Sequence, residues 1–389
     1  MKLKNKILFL LPLISILFSV RANAGDLENI WKQRIEGGIL TTAVNTTPIV
    51  VTQKEIIFMD EKGAIVNTIP LNENQFAVIS RDTNTFTLVT HRPHIKEIIQ
   101  KTELFISSAL LSCSTSSSSS TLSSCGLTAG SITPLCTIEE NGYPYLSPDG
   151  TWLAMISKPK SKISFYTKEG KKLREYDFPN IKNSALAFSG DSRYCAINTS
   201  NIQGNETGSR VILFNDKGKK IWQYDHPRST AGELNLSQNG ETVVYSSENE
   251  LISINKKGRE NWTKSLTPGG IKTALSPNQK YLAISRREDN SITLYNAQDG
   301  TEIWKKQITG LLGYNSPFTS LEVLDNGAVI TAIAKSWSIR NDQSYLYIIK
   351  DKQIASYTEF TAPWIKAITK NDNRHIIVYS KEFVEKYRK

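Results

Sequence analysis

The chain has 389 residues, a formal net charge of +10 and 39% hydrophobic residues, which is enough for a large core and too apolar for a disordered protein. Only one stretch, Ile7 to Val20, is strongly apolar, and its 14 residues are too few to cross a bilayer as a helix. An integral membrane protein is therefore excluded. Four cysteines and four histidines also exclude a disulfide scaffold and leave little material for metal chemistry.

The first 24 residues have the organisation of a secretory signal peptide. Lys2, Lys4 and Lys6 form a basic segment, Ile7 to Val20 form the apolar segment, and Ala22-Asn23-Ala24 supplies small residues before a cleavage point. We expect residues 1–24 to be removed and residues 25–389 to form a single domain in the periplasm or outside the cell. No cysteine follows the cleavage point, so the lipid anchor of a bacterial lipoprotein is not expected.

A sequence pattern of about 40 to 48 residues recurs along the chain. Its first turns fall at residues 147, 189, 237, 276 and 324, which are 42, 48, 39 and 48 residues apart. The units that carry it are Tyr143 to Tyr176, Ala185 to Tyr224, Glu233 to Trp262, Lys272 to Trp304 and, more loosely, Leu321 to Tyr357.

Each unit is interpreted as four short strands. An apolar strand ends in a Ser-Pro-Asp-Gly-like turn such as Ser147 to Gly150, an alternating strand follows, and a third strand enters an Asp/Asn-Gly hairpin turn. The fourth strand carries a tryptophan, as in Glu302 to Ile308. Four-stranded repeats of this length are typical of β-propeller blades. A β-sandwich would not repeat its sequence and the coils of a β-solenoid are shorter, so the sequence predicts an all-β propeller.

The two ends of the chain are predicted to share one blade. Ile365 to Lys389 supplies three strands, and Glu28 to Ile35 copies the fourth-strand pattern of Glu302 to Ile308. We therefore expect the N-terminal strand to close the ring and cover a sheet edge. This count favours eight blades. Seven is the alternative if Phe76 to Ile138 does not make a whole blade.

Two known repeat families share these motifs. Asn296 to Trp304 and Asn215 to Trp222 resemble the quinoprotein-type (PQQ-like) propeller repeat, and the Ser-Pro-Asp-Gly turns resemble WD40-type and TolB-type repeats. The resemblance implies a propeller architecture rather than an activity. Among periplasmic propellers of eight blades, it points to the BamB-like scaffold of outer-membrane protein assembly, from which this chain departs by lacking the lipidated cysteine.

Residues that would carry catalysis do not form a recognisable set in the sequence. There is no adjacent cysteine pair, His-Glu-x-x-His, P-loop, dinucleotide glycine pattern or Gly-x-Ser-x-Gly elbow. His91 and His94 have a spacing that suits a metal, but no third ligand lies nearby in the sequence. We therefore predict no cofactor, no metal and no catalytic residues. A hydrolase or lactonase whose ligands come from several blades stays open as the alternative function.

A serine-rich insertion at about residues 107–137 interrupts the repeat, since nine of the thirteen residues from Ser112 to Ser124 are serine. Such a composition predicts a flexible, solvated loop. Three cysteines lie in it, and a disulfide between Cys113 and Cys125 is the first choice of pairing. Cys195 falls in a predicted inner strand, where a buried free thiol is expected, and this leaves Cys136 unpaired unless it replaces one of the other two.

Strand order predicts which loops share a face of the ring. The first and third turns of each blade lie on one side and are short. The second turns and the connections between blades lie on the other side and vary in length, and variable loops on a rigid scaffold are where binding residues concentrate. Aromatic residues and arginine dominate protein–protein hot spots. The partner-binding candidates on this second side are Leu311, Leu312, Tyr314, Trp337 and Arg340. His226 and Arg228 are weaker candidates, and an apolar packing role for the loop residues stays open.

The side with the short turns carries clustered lysines. Export and the lack of stacking aromatics among them argue against nucleic acid. We expect a solvated basic rim that attracts anionic envelope surfaces weakly. The predicted function is a secreted or periplasmic, non-catalytic scaffold that binds envelope or extracellular proteins.

Overall fold

A computed structural model describes residues 27–388 except 37, 45–47, 74, 81–84, 93–94, 108–131, 139, 141, 158–160, 179–183, 204–205, 227–231, 248, 267–270, 309–316, 336–342 and 370–373. The predicted signal peptide and both cysteines of the predicted Cys113–Cys125 disulfide lie outside the described residues, so these remain predictions. Among the described residues, no helix is long and apolar enough to cross a membrane.

The described strands pair into eight antiparallel sheets of four, which together form a β-propeller. The first four sheets along the chain consist of β2 (Ile39–Val44), β3 (Pro48–Thr52), β4 (Glu55–Met59) and β5 (Ile65–Pro70); β6 (Gln75–Ile79), β7 (Thr85–Arg92), β8 (Ile95–Ser107) and β9 (Ile132–Ile138); β10 (Tyr143–Leu146), β11 (Trp152–Ser157), β12 (Lys162–Thr167) and β13 (Lys172–Asp177); and β14 (Ser184–Phe188), β15 (Tyr194–Gln203), β16 (Glu206–Asn215) and β17 (Lys220–His226).

The remaining sheets follow the same order of strands. They consist of β18 (Leu234–Leu236), β19 (Thr242–Ser246), β20 (Glu250–Asn255) and β21 (Glu260–Ser265); β22 (Ile271–Leu275), β23 (Tyr281–Arg286), β24 (Ser291–Asn296) and β25 (Glu302–Gln307); β26 (Phe318–Val323), β27 (Val329–Ala334), β28 (Ser344–Lys350) and β29 (Gln353–Phe360); and β30 (Lys366–Thr369), β31 (His375–Tyr379) and β32 (Phe383–Arg388) with β1 (Glu28–Arg34).

The core lies between neighbouring sheets and is formed mainly by the second and third strands. In β11 and β27 every residue is buried, as expected for strands covered on both faces. The fourth strands alternate between exposed and partly buried residues, as β13 and β21 do, because only one of their faces is covered. The repeated sequence pattern is thus the pattern of burial within one sheet.

An aromatic side chain on one sheet packs against the third-turn glycine of the next. A Cβ atom added at Gly258, which has a φ of +76°, would lie 3.0 Å from Trp222. Gly63 has the same relation to Trp31, whose indole N–H donates to the carbonyl oxygen of Glu61. A side chain at these glycines would be strained by the backbone conformation and would also displace the ring. This contact explains why the glycine and the tryptophan recur together in the sequence.

The predicted closure of the ring is confirmed. Strand β1 pairs antiparallel with β32, from Glu28 opposite Arg388 to Arg34 opposite Phe383. Glu385 of β32 is buried, and its carboxylate accepts a hydrogen bond from Asn29 at 3.0 Å and lies 2.6 Å from the ammonium group of Lys32. The first strand therefore supplies the partners of a buried charge on the last.

The predicted number of blades has to be corrected. The sequence favoured eight blades with seven as the alternative, whereas seven sheets are blades of the repeated type and the sheet of β6–β9 departs from it. Its third strand, β8, has 13 residues, the pairing of β7 with β8 shifts register twice, and residues 108–131 stand where the repeat has a short third turn. A short turn normally sets the register of such a pair. Seven regular blades and one irregular four-stranded sheet replace the predicted eight.

The serine-rich insertion also includes ordered structure at its end. Strand β9 (Ile132–Ile138) pairs with β8 as the fourth strand of its sheet, although the insertion was predicted to extend to residue 137. The thiol of Cys136, in β9, donates to the carbonyl oxygen of Lys168 at 3.3 Å. Cys195 is a buried free cysteine, as predicted, and burial raises the pKa of its thiol.

Candidate functional site

The two faces of the ring differ in how their loops are built. We call the side with the first and third turns the regular face and the side with the second turns and inter-sheet connections the irregular face. In seven of the eight sheets five residues separate the first strand from the second. On the irregular face the separations range from two residues, between Thr52 and Glu55, to ten, between Gln307 and Phe318. The large exception on the regular face is the segment between β8 and β9.

The first turns of the regular face repeat one hydrogen-bond arrangement. The hydroxyl of Ser147 donates to Asp149 at 2.8 Å and accepts from the backbone N–H of Trp152, while Asp149 accepts from the N–H of Thr151. Serine paired with an Asp or Asn two residues later therefore satisfies the turn locally. The same arrangement occurs at Ser189 with Asp191, Ser237 with Asn239 and Ser276 with Asn278.

Neighbouring first turns are also bonded to one another. The indole of Trp152 donates to the carbonyl oxygen of Ser192 at 2.6 Å, and the backbone N–H of Asp191 donates to that of Gln238 at 2.8 Å. Two further bonds join Asn278 to Asp325. The first turns of the regular face are thus hydrogen-bonded to one another as well as within themselves.

The partner-binding candidates predicted on the irregular face lie outside the described residues. This applies to Leu311, Leu312, Tyr314, Trp337 and Arg340. The structure does describe the points where their two loops leave the scaffold. The backbone N–H of Ala334 donates to the carbonyl oxygen of Pro317 at 3.0 Å, and the N–H of Lys335 donates to that of Gln343 at 3.0 Å. The residue that follows segment 309–316 therefore lies beside the residues that flank segment 336–342, which their separation in sequence does not reveal.

A polar cluster lies at the same face, between the sheets β14–β17 and β18–β21. His226 Nε2 is 2.9 Å from Glu250 Oε2, and Ser209 and Tyr245 share a hydrogen bond of 2.5 Å between their buried hydroxyls. Ser209 is the cross-strand partner of His226. The sequence singled out His226 only weakly, because its neighbours come from β16, β19 and β20, which no local motif connects.

Two atoms of this region are buried without a hydrogen bond. They are Nδ1 of His226 and Oδ1 of Asn198, neither of which has a partner within the described part of the chain. Asn198 is fully buried, and its amide nitrogen donates weakly, at 3.4 Å, to the carbonyl oxygen of Gly232. Buried polar atoms without partners cost stability. These two atoms on the irregular face therefore lack hydrogen bonds of the kind that the first-turn serine hydroxyls make on the regular face.

A cleft of about 380 Å³ lies where β9 meets the sheet β10–β13. Glu140, whose side chain is largely buried, accepts hydrogen bonds from Tyr166 and, at 2.8 Å, from Ser164, and its carboxylate is 3.1 Å from Lys172. Lys172 also contacts Glu175 at 2.7 Å, and Lys162 contacts the same carboxylate at 2.5 Å. The two carboxylates and the two ammonium groups pair with one another, so the cluster joins two sheets without leaving a free charge.

The pKa values in this cleft follow from these contacts. Burial opposes ionisation of Glu140, but the hydrogen bonds from Tyr166, Ser164 and Lys172 outweigh it and lower its pKa. Burial and the bond to Glu140 raise the pKa of Tyr166 to about 12. Hydrogen bonds from Lys162 and Lys172 lower the pKa of Glu175 to about 2. Every group is thereby held in its usual charge state near neutral pH, as in a structural ion-pair network.

The histidine pair considered for metal binding is described only in part. His91 lies in β7 and His94 lies outside the described residues. Within the ranges that the structure describes, no group of three or more histidine, cysteine, aspartate or glutamate side chains could hold a metal ion.

Comparisons with known proteins agree with this architecture. A PQQ-type family model described as "Outer membrane protein assembly factor BamB" matches residues 207–336, about a third of the chain. No curated protein matches the sequence. The chain is a β-propeller with PQQ-like and WD40-like repeats.

Solved structures with a similar fold include three propellers with low sequence identity to this chain. BamB from Moraxella catarrhalis is 12% identical, with a TM-score of 0.60 over 93% of this chain and 100% of that chain. The C-terminal WD40 domain of Sif2 is 11% identical, with a TM-score of 0.61 over 94% and 98% of the two chains. The Dos1 propeller is 11% identical, with a TM-score of 0.60 over 94% and 95%. At these identities the likeness concerns the fold alone.

Proposed function

We propose that the protein is an exported, non-catalytic scaffold that binds other envelope or extracellular proteins through the irregular face of its propeller. The signal peptide of residues 1–24 would deliver it to the periplasm or to the outside of the cell, and residues 25–389 would act there as one domain.

One observation carries the proposal: Pro317, which follows segment 309–316, lies beside Ala334, close to the start of segment 336–342. The hydrogen bond from Ala334 to Pro317 joins their bases, although their sequences are separated by two strands. On this proposal, Tyr314 and Trp337 would lie on one part of the irregular face. Aromatic residues brought together on a rigid frame are the usual centre of a protein interface.

The polar cluster and the comparisons support the same proposal. His226, whose side chain is 19% exposed on the same face, would add a polar contact for a partner. The family model that matches residues 207–336 is named for an assembly factor of outer-membrane proteins, and this segment includes His226 and the loop 309–316. Envelope proteins are therefore the class of partner that we propose.

A pull-down from solubilised cell envelopes tests the binding face. The double variant Tyr314→Ala/Trp337→Ala should lose a bound partner by tenfold or more, since single hot-spot residues often contribute over 2 kcal/mol. The matched control is Ile221→Ala/Ile303→Ala, which removes apolar side chains that are exposed on the outer strands β17 and β25. The control should retain every partner. Retention of every partner by the loop variant would contradict the proposal.

Export is tested by the mature N-terminus. Protein recovered from a periplasmic or culture fraction should begin at Gly25, as N-terminal sequencing or intact mass would show. A cytosolic protein that keeps residues 1–24 would exclude the proposed location.

A further inference from the structure

Three neighbouring third turns on the regular face carry most of its positive charge. They lie between β12 and β13, β16 and β17, and β20 and β21. We call their cations the basic arc, which consists of Lys168, Lys171, Lys217, Lys219, Lys256, Lys257 and Arg259. The same turns contain only two carboxylates, Glu169 and Asp216. A strong excess of positive charge therefore spans three consecutive blades.

Most of the arc is exposed and unpaired. Lys171, Lys217, Lys219, Lys257 and Arg259 are exposed, and none of them has an ion-pair partner in the part of the chain that the structure describes. Lys256, by contrast, pairs with Glu241 at 2.8 Å. Five cations are thus available to an external anion.

The backbone of two of these turns is ordered by hydrogen bonds to uncharged side chains. The side chain of Asn215 accepts from the backbone N–H groups of Lys217 and Lys219, and Asn255 does the same for Lys257 and Arg259. The hydroxyl of Tyr176 donates to the carbonyl oxygen of Gly218 and so ties one turn to the preceding sheet. The backbone of the arc is therefore ordered by side chains that carry no charge themselves.

The third turns elsewhere on the ring lack this character. The turn between β4 and β5 contains Asp60, Glu61 and Lys62, and that between β24 and β25 contains Asp299 without a basic residue. The Gly-containing turn does not by itself require lysine, since Gly300 adopts the same positive φ there. The charge is confined to one side of the face and is separate from the requirements of the fold.

We infer that the basic arc docks the protein on the surface of an anionic lipid bilayer, with the regular face toward the lipid and the irregular face away from it. Turn tips on neighbouring blades present their charges as an array across a face. Such an array is better suited to bind a flat anionic surface than a single nucleic-acid strand. A single-stranded nucleic acid is bound in a groove with aromatic rings for base stacking, and the three turns contain no aromatic residue. Each cation near an anionic membrane surface adds about 1 kcal/mol, or about fivefold in affinity.

This orientation is independent of the proposed partner site. Lipid would occupy the regular face, and the loops 309–316 and 336–342 would remain free for proteins. Loss of lipid binding with partner binding intact would overturn only the docking inference, and the reverse result would overturn only the proposed function.

Co-sedimentation with vesicles of phosphatidylglycerol and phosphatidylcholine (1:1) tests the docking. The mature protein should bind these vesicles at low ionic strength and should not bind vesicles of pure phosphatidylcholine. It should be released in about 0.5 M salt, because salt shortens the Debye length and screens the attraction between exposed charges. Lys217→Glu/Lys219→Glu/Lys257→Glu should weaken binding by about 100-fold or more. The matched control, Lys54→Glu/Lys366→Glu/Lys381→Glu, makes the same change of charge at exposed residues on the irregular face and should bind within about fivefold of the parent protein.

Three outcomes would overturn the inference. They are no binding of the parent protein to anionic vesicles, an equal loss in both triple variants, and equal retention on poly-glutamate and on vesicles at the same ionic strength. The last outcome would indicate that the basic arc binds any acidic polymer rather than a lipid bilayer. Circular dichroism of both variants would establish that any loss occurs in folded protein.

Discussion

The regular and irregular faces of the propeller connect their strands with loops of different construction. On the regular face, serine and Asx side chains satisfy each first turn locally, and hydrogen bonds such as Trp152 to Ser192 link one turn to the next. On the irregular face the connections vary in length, and buried Ser285 has a hydroxyl without a partner among the described residues. Residues that hold the ring are thus separated from the loops that are free to vary.

This difference shows where sequence change is tolerated. A turn whose polar groups bond to one another and to the next blade cannot change without cost. A connection that only returns the chain to the next sheet can lengthen, since surface loops lose little stability when extended. We therefore expect equivalent substitutions to reduce stability on the regular face and to have little effect on the irregular face.

The largest effect is expected where the ring closes and both faces depend on the same strand. Deleting Leu27 to Gly37 removes β1, exposes the edge of β32 and leaves buried Glu385 without Asn29 and Lys32. The melting temperature should fall by roughly 10 °C or more. Differential scanning calorimetry measures this change. Substituting the exposed Arg34 by Ala is the control and should shift the melt by less than about 2 °C. An unchanged melt of the deletion variant would contradict the closure.

A smaller contrast is expected between glycines of the two faces. Gly258→Ala, on the regular face, places a Cβ atom 3.0 Å from Trp222 at a φ of +76° and should cost about 2 kcal/mol. Gly142→Ala, in a connection of the irregular face, meets its nearest atoms at 3.4 Å without a positive φ. Its effect should stay within about 0.5 kcal/mol. Equal losses in urea unfolding would remove the distinction.

The smallest contrast concerns two buried serines. The hydroxyl of Ser237 donates to Asn239 and accepts from the N–H of Thr242, so Ser237→Ala should cost about 1 kcal/mol. Ser285→Ala removes a buried hydroxyl that has no partner in the described structure and should be neutral or stabilising. Urea unfolding of the two variants side by side measures the difference. A greater loss for Ser285→Ala than for Ser237→Ala would show that the irregular face also depends on its buried hydroxyls.

Much of the fold could be predicted because its causes are local and repeated. A serine with an Asx two residues later and a glycine at a positive φ recur in each unit, so turns and strands could be placed from the sequence. The match of Glu28 to Ile35 with a fourth strand was enough to predict the pairing of β1 with β32. Burial of Cys195 followed from its position in a second strand.

What could not be predicted depends on contacts between distant segments. The sheet β6–β9 was uncertain because its third and fourth strands are separated by residues 108–131, and no turn motif pairs them. The approach of Pro317 to Ala334 and of His226 to Glu250 arises from pairing between strands and between sheets. The ion-pair cluster around Lys172 likewise combines residues whose sequence spacing carries no pattern.

The most direct test of the central claim, that partners bind the irregular face, is lysine cross-linking with mass spectrometry in the native envelope. Exposed lysines mark both faces: Lys54, Lys366 and Lys381 lie on the irregular face, and Lys171, Lys217 and Lys257 lie on the regular face. Cross-links to partner proteins should concentrate on the first three. Partner cross-links concentrated on Lys171, Lys217 and Lys257 would contradict the account.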